Sequence, residues 1–221
     1  MRDEARSLAV HRLDAMPYEA ALEVQAEAVA ARRAGRIPDT LFLVEHPHVI
    51  TLGSSAREAH VLADADERAR RGIGLFETGR GGDVTYHGPG QLVAYPILDL
   101  KPDRKDLHGY LRDLESVVME VVERYGVQAE RSDGQTGVWT RGGKIAAIGV
   151  RVSSGWITSH GLALNVATDL SYFDTIVPCG IADRDVTSLA REVGKDVGID
   201  EVADVLVEVF AAHFGRALAK R

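Results

Sequence analysis

Cysteine, asparagine and lysine are scarce in this sequence. Its 221 residues include one cysteine (Cys179), one asparagine (Asn165) and five lysines, against 21 arginines. A single thiol cannot form an intramolecular disulfide, and a lone thiol is most easily kept reduced in the cytosol. We therefore expect a cytoplasmic protein in which Cys179 serves a purpose other than cross-linking.

Long apolar runs and an excess of positive charge are also missing. The first ten residues, MRDEARSLAV, are charged, and no segment resembles the run of about 20 apolar residues that spans a bilayer, so we expect a soluble, unexported protein without membrane contact. The formal net charge of -7 disfavours nucleic acid as a partner, because phosphate contacts need clustered Lys and Arg. With 45% apolar residues, the chain can bury one core, and residues 1–221 are predicted to form a single domain.

Hydrophobic periodicity predicts helices alternating with strands. Helices are expected at Pro17–Arg36, at Leu107–Tyr125, and from an N-cap at Asp200 onward, burying Leu218. Residues 56–82 are expected to be a long loop with short elements, and residues 167–198 show no sustained period. Strands are expected at 40–45, 48–52, twice within 83–100, and at 136–140, 144–152 and 156–166. Together these elements indicate a mixed sheet.

Cys179 stands in a sequence context that favours a reactive thiol. A cysteine is often only a small buried apolar residue. Here Pro178 fixes the backbone on one side and Gly180 leaves room on the other, which is how a chain presents a thiol to a bulky substrate. A thiol with a pKa of about 8.5 needs a nearby cation or base to ionise. The candidates for that partner are Lys144, His160 and His87.

Lys144 is singled out by the bias toward arginine. Most lysines are simply solvated surface residues. In a chain that otherwise prefers arginine, a lysine within the apolar segment KIAAIGV suggests that loss of its proton matters, because arginine cannot lose one. Lys144 is therefore a candidate base.

Two other groups of polar residues could carry chemistry. His46 and His48 would share one face of a strand, but no Cys or carboxylate completes a metal shell, so no metal site is expected. Asn165 is expected to make a side-chain hydrogen bond that no other residue supplies, and it could orient either a loop or a substrate.

Six motifs give this sequence a family resemblance. In order and spacing they resemble the lipoyl(octanoyl) transferases, which are related to the biotin and lipoate protein ligases. The motifs are EHPHVITLG at 45–53, RGGDVTYHGPGQLVAYP at 80–96, DGQTGVW at 133–139, KIAAIGV at 144–150, HGLALNV at 160–166 and IVPCGI at 176–181.

The resemblance implies a fold and a reaction. It implies an α/β fold with a mixed, mostly antiparallel sheet flanked by helices, similar to the biotin/lipoate protein ligase catalytic domain. It also implies that Cys179 is the acyl-thioester nucleophile and that Lys144 lowers its pKa. His160 and Asn165, singled out above from the residues alone, are candidate supporting residues. Three segments would bind the acyl substrate: Arg80, Gly81, Gly82, Asp83, Val84, Thr85, Tyr86 and His87; Ala147, Ile148 and Gly149; and Gly161, Leu162 and Ala163.

The partners implied by the resemblance are proteins. Octanoyl-acyl carrier protein would donate the acyl group, and lipoyl domains of 2-oxoacid dehydrogenases and the glycine cleavage H protein would accept it. No cofactor is expected, because exchange between thioesters needs no ATP. Since such partners are usually acidic, a basic patch is expected at Arg131, Arg141, Arg151 and Arg184.

Three other functions remain open from the sequence. An ATP-dependent lipoate or biotin ligase would share the fold but need no catalytic cysteine. A cysteine hydrolase would pair Cys179 with His160 and release free octanoate. An acyl-binding protein would keep its ligand affinity after Cys179→Ser.

Overall fold

The computed structural model of the protein describes residues 6–102, 104–177 and 185–219. Cys179 lies outside these residues, as do Pro178, Gly180 and Arg184. The expectations for these four residues therefore stay predictions.

Eleven strands and five α-helices make up the described chain. The helices are α1 (Tyr18–Arg33), α2 (Ala65–Arg70), α3 (Leu107–Glu123), α4 (Leu189–Val193) and α5 (Ile199–His213). The strands are β1 (Arg6–Ala15), β2 (Asp39–Glu45), β3 (Val49–Leu52), β4 (Gly74–Glu77), β5 (Val84–His87), β6 (Gln91–Ile97), β7 (Glu130–Ser132), β8 (Gln135–Thr140), β9 (Gly143–Val152), β10 (Thr158–Asn165) and β11 (Arg216–Leu218).

The strands form a large sheet and a small one. The large sheet has the order β11-β1-β2-β6-β10-β9-β8-β7, in which only the β11–β1 and β1–β2 pairs are parallel. The small sheet has the order β4-β3-β5, with β3 parallel to β4 and antiparallel to β5. A mixed, mostly antiparallel sheet was predicted, and the structure has one.

Opposite faces of the large sheet carry different helices. Alternating side chains of β2 divide between them: Leu41 and Leu43 pack with α3 and α5, whereas Phe42 and Val44 pack with α1. This period-two alternation is what a sheet buried on both faces requires. A third apolar cluster lies between the small sheet and Phe173 and Ile176.

The predicted elements recur with shifted ends, and some were missed. Strand β1 was not predicted, because its charged residues concealed the alternation. The final helix is capped at Gly198 and not at Asp200, which lies in its first turn. The assignment of Leu218 to the buried face of that helix was wrong, since Leu218 belongs to edge strand β11 and is 52% exposed. Within the described ranges, no helix has both the length and the apolar character needed to cross a bilayer.

Candidate active site

A cavity with about 40 Å³ of free space is lined by residues of both sheets and of α1. Most predicted substrate-binding residues line it, together with the three candidate partners of the thiol: Arg80, Gly82, Asp83, Val84, Thr85, His87, Lys144, Ala147, Ile148, Gly149, His160, Gly161, Leu162 and Ala163. The fold thus brings separate segments of the sequence to one place.

Two predicted substrate-binding residues have other surroundings. The Tyr86 ring packs in the third apolar cluster, and its hydroxyl is 2.7 Å from His48 Nδ1. Gly81 joins its loop to β9, donating its N–H to the carbonyl of Val150 at 2.9 Å. Neither is among the residues that line the cavity.

Three lining residues were missed from the sequence: Tyr18, Val93 and Tyr95. Tyr95 lies within the motif at 80–96, but nothing in the spacing separates it from an ordinary core tyrosine. Its hydroxyl bonds His46 Nε2 at 2.7 Å, and His46 Nδ1 bonds the carbonyl of Met16 at 2.8 Å. His46 and His48 thus bond different tyrosines.

Two glycines let the cavity walls approach other backbone. A Cβ on Gly161 would lie 2.1 Å from the carbonyl oxygen of Ala94, and a Cβ on Gly149 would lie 2.9 Å from that of Gly81. Real Cβ atoms do not come that close to backbone oxygen. Glycine at these positions is therefore a requirement of strand packing.

Lys144 is held inside the cavity wall by backbone and by an aromatic ring. Its residue is only 8% exposed, and its Nζ lies 4.9 Å from the centre of the Trp139 ring, a cation–π contact. Its N–H donates to Asp185 at 2.9 Å, and its carbonyl accepts from Thr187 at 3.0 Å. The segment that follows residues 178–184 is thus paired with the strand that carries Lys144.

Gly137 makes room for the Lys144 side chain, and Glu115 is hydrogen-bonded to Gly137. A Cβ on Gly137 would lie 2.7 Å from Lys144 Cε, so the lysine side chain occupies the space that any other residue would fill. The Gly137 N–H donates at 3.1 Å to the fully buried carboxylate of Glu115. Arg112 and Arg131 also donate to this carboxylate, at 2.7 and 3.0 Å. Neither Gly137 nor Glu115 was singled out from the sequence.

Thr51 holds the Arg80 side chain through three hydrogen bonds. Its guanidinium bonds the Thr51 carbonyl at 2.6 Å and the Thr51 hydroxyl at 2.9 and 3.1 Å. Arg80 is 7% exposed, so the Gly-rich turn brings a buried positive charge to the cavity.

The two predicted histidines of the cavity are weak bases. Burial, assisted by the charge of Arg80, lowers the pKa of His160 to about 4. Burial, assisted by the nearby His46, lowers the pKa of His87 to about 3. Both rings are therefore neutral near neutral pH and poorly suited to taking a proton there.

A histidine–aspartate pair joins the cavity to the chain before Pro178. His60 Nδ1 bonds Asp83 Oδ2 at 2.5 Å, and Asp83 lines the cavity. The carbonyl of His60 accepts the N–H of Val177 at 2.8 Å, and Val61 pairs with Ile176. Val177 thus lies next to the His60–Asp83 pair, whereas Asp185 is bonded to Lys144.

The three described arginines of the predicted basic patch have different surroundings. Arg131 is paired with buried Glu115, while Arg141 lies exposed in the turn between β8 and β9. The Arg151 guanidinium packs against Gly79, at the edge of the loop that carries Arg80. The role of these residues in binding partner proteins stays a prediction.

The architecture is that of lipoate and biotin protein ligase catalytic domains. A chain from a structural analysis of a bipartite lipoate protein ligase and its E2 lipoyl domain from Thermoplasma acidophilum has a TM-score of 0.73 at 19% identity, covering 97% of this chain and 86% of that one. The biotin protein ligase of Aquifex aeolicus, in complex with biotin and ATP, has a TM-score of 0.55 at 16% identity, covering 94% and 70%. The predicted fold class is thereby confirmed.

The sequence places the chain more narrowly. Residues 17–211 match the lipoyl protein ligase A/B catalytic domain, and the chain belongs to this family. A protein named octanoyltransferase from Chloroflexus aurantiacus is 53% identical over 212 residues, which cover 93% of this chain and 95% of the relative. The family inferred from the six motifs is confirmed.

Proposed function

We propose that this protein is an octanoyltransferase of protein lipoylation. It would move an octanoyl group from octanoyl-acyl carrier protein to Cys179, and from there to a lysine amine of a lipoyl domain. The observation that carries the proposal is that Lys144 lines an apolar-walled cavity in a chain 53% identical to an octanoyltransferase over nearly its whole length.

The chemistry consists of two acyl exchanges. In the first, the Cys179 thiolate attacks the donor thioester, a new C–S bond forms, and the carrier thiolate leaves and is protonated. In the second, the acceptor amine attacks the thioester of Cys179, a C–N bond forms, and the cysteine sulfur leaves. The amine loses a proton to a base in this step. Both exchanges balance without ATP or any cofactor.

The cavity walls offer apolar surface to an acyl chain. Val84, Val93, Leu162 and Ala163 supply this surface. Burying each methylene of an acyl chain contributes about 0.8 kcal/mol. The lining thereby favours a hydrocarbon chain over a polar substrate.

Chain connectivity supports a role for Cys179 with Lys144. Cys179 is two residues beyond Val177, which is bonded to His60, so two peptide units allow it a reach of about 7 Å from that anchor. His60 bonds Asp83, a lining residue of the cavity that also contains Lys144. This anchor near the cavity wall supports a reaction between the thiol and a substrate held there.

Lys144 is the base that the surroundings favour. The low pKa values of His87 and His160, about 3 and about 4, leave these rings with little affinity for a proton near neutral pH. A primary amine held next to the reacting thioester can accept a proton from the attacking amine. The low pKa of His160 also disfavours a hydrolase that pairs Cys179 with His160.

The proposed partners and location follow from the same reaction. The acceptors would be lipoyl domains of 2-oxoacid dehydrogenases and the glycine cleavage H protein, and the donor would be octanoyl-acyl carrier protein. The reducing cytoplasm would keep the Cys179 thiol available for both exchanges.

Intact-protein mass spectrometry tests the proposal directly. The protein is incubated with octanoyl-acyl carrier protein and no ATP, and we expect an octanoyl adduct that peptide mapping places on Cys179. Addition of a lipoyl domain should discharge the adduct and leave the octanoyl group on a lipoyl-domain lysine. If octanoylation of the lipoyl domain requires free octanoate and ATP, the protein is a ligase instead.

Variants assign the roles of the two residues. Cys179→Ser should form no thioester adduct. Lys144→Arg keeps the charge but removes the base, and should stop transfer. Lys195→Arg, at an exposed lysine, is the matched control and should react like the unmodified protein. Equal activity of the two lysine variants would remove Lys144 from the mechanism.

A further inference from the structure

Four buried groups, one of which lines the cavity, form a continuous chain of hydrogen bonds. His87 Nδ1 bonds Gln91 Oε1 at 2.7 Å, Gln91 Nε2 bonds Asn165 Oδ1 at 2.9 Å, and Asn165 Nδ2 bonds the carbonyl of Thr187 at 3.0 Å. His87 lines the cavity, whereas Gln91 and Asn165 lie behind its wall. We call this chain the amide relay.

The direction of every bond in the amide relay is set by backbone carbonyls. The Thr187 carbonyl can only accept, so Asn165 must present its NH₂ group to it and its oxygen to Gln91. Gln91 must then donate to Asn165, and a second bond from its Nε2 to the Tyr86 carbonyl at 3.2 Å requires the same orientation. Gln91 Oε1 therefore faces His87, whose Nδ1 must carry the proton.

This direction fixes the polarity of the cavity wall at His87. A neutral imidazole with its proton on Nδ1 has a lone pair on Nε2, which can accept a hydrogen bond. A donor is what the second exchange brings into the cavity, since the attacking group is a primary amine with N–H bonds. His87 can thus orient the amine by accepting a hydrogen bond from one of its N–H groups.

The other end of the amide relay reaches the backbone beside Lys144. Thr187 accepts from Asn165 through its carbonyl and donates through its N–H to the carbonyl of Lys144 at 3.0 Å. The same two amides therefore hold both the ring of His87 and the segment that pairs with the Lys144 strand.

We propose that Gln91 and Asn165 are positioning residues for acyl transfer, which fix the acceptor nitrogen of His87 toward the incoming amine and align the Lys144 strand with residues 185–187. The proposal rests on the octanoyl transfer proposed above. It gives Asn165 a defined role, which the sequence left open between a loop and a substrate.

The groups around His87 agree with a neutral ring. On the described part of the chain, the titratable and charged groups that face it are Tyr18, His46, Arg80 and His160. None of these four is a carboxylate that would stabilise the imidazolium form. Burial lowers the pKa of His87 to about 3, so near neutral pH the ring stays in the neutral tautomer that Gln91 sets.

Nitrogen-15 NMR of histidine-labelled protein tests the tautomer without substrate. The ring of His87, assigned by its loss in His87→Gln, should carry its proton on Nδ1. In Gln91→Met, which removes the acceptor at similar volume, the proton should move to Nε2, the site that free histidine prefers. A proton on Nε2 in the unmodified protein would overturn the proposal, whatever the enzyme's activity.

Single-turnover kinetics tests the effect on the reaction. Gln91→Met should slow discharge of the acyl enzyme to a lipoyl domain about tenfold in kcat, the rate equivalent of one hydrogen bond, with the acceptor KM unchanged. Formation of the acyl enzyme should change by less than about twofold. Equal slowing of both steps would indicate a purely structural role and refute the proposal.

Two more variants complete the test. Asn165→Asp keeps the acceptor for Gln91 but cannot donate to Thr187, so it should retain the Nδ1 tautomer while slowing transfer. Gln135→Met removes a glutamine outside the amide relay and should leave both the His87 tautomer and the rate of acyl-enzyme discharge unchanged. If the unmodified protein forms no acyl enzyme, the proposed function fails, while the tautomer measurement still decides the direction of the relay.

Discussion

The role of Gly137 can be tested by adding a single methyl group. Gly137 has a φ of 141°, a conformation that residues with a Cβ rarely adopt. In Gly137→Ala the new Cβ would lie 2.7 Å from the Ala146 carbonyl oxygen, 2.7 Å from Lys144 Cε and 3.2 Å from its Nζ. The carbonyl belongs to the β8–β9 pairing and cannot retreat, so the lysine side chain must move.

The size of the effect follows from these contacts. The backbone strain costs about 1–3 kcal/mol. For a chain of this size, each kcal/mol lowers the melting temperature by about 2–4 °C, so we expect a fall of about 2–12 °C. Displacing a reacting group by about 1 Å can cost about a hundredfold in rate. Transfer should therefore fall about a hundredfold at temperatures where the variant is still folded.

Gly134→Ala is the matched control. Gly134 also has a positive φ, of 72°, but no atom of the described residues lies within 4 Å of the position that the added methyl group would take. This variant should lose about 1–2 kcal/mol of stability from strain alone and keep its transfer rate. The assays are thermal unfolding and single-turnover octanoyl transfer. Normal transfer by folded Gly137→Ala, or an equal loss in Gly134→Ala, would refute the view that Gly137 makes room for Lys144.

Two further predictions concern buried charge and pH. Asp39, with its carboxylate fully buried, accepts from Arg32 and Arg216 at 2.8 Å each, so Asp39→Asn should lower the free energy of unfolding in urea by about 3–5 kcal/mol; an unchanged value would contradict this. Burial lowers the pKa of His160 from 6.5 to about 4. As the pH falls, this histidine is therefore protonated in the unfolded chain before it is protonated in the folded one. The free energy of unfolding should decrease by up to about 3 kcal/mol between about pH 6.5 and about pH 4. His160→Asn keeps a residue type that tolerates the positive φ at position 160. In thermal melts across that pH range, its stability should depend less on pH than that of the unmodified protein. An equal pH dependence would refute the assignment of this effect to His160.

The sequence was sufficient for those parts of the fold where the pattern is strong and local. The helical period of 107–125 and the alternating strands around Lys144 reappear in α3, β8, β9 and β10. Strands β1 and β11 were missed because only one residue of each is fully buried and β11 is only three residues long. For such strands, pairing with a distant segment decides the structure, and no local signal records it.

The candidate site was predictable where composition made a residue unusual. Lys144 stood out as a lysine in an arginine-rich chain, and Asn165 as the only asparagine. Glu115 did not stand out, because a glutamate on a helix normally faces water. Its burial depends on β8 and on arginines at positions 112 and 131, which only the folded chain brings together.

The glycines of the cavity wall have a consequence for how substrate choice can change. At Gly149 and Gly161 the neighbouring backbone excludes any larger residue, so this part of the wall cannot be altered by substitution. Among the described lining residues, the apolar side chains of Val84, Val93, Leu162 and Ala163 can be enlarged or trimmed while both sheets stay paired. The length of hydrocarbon that fits is therefore adjustable at these side chains and not at the glycines, and relatives that prefer other acyl lengths should differ there first.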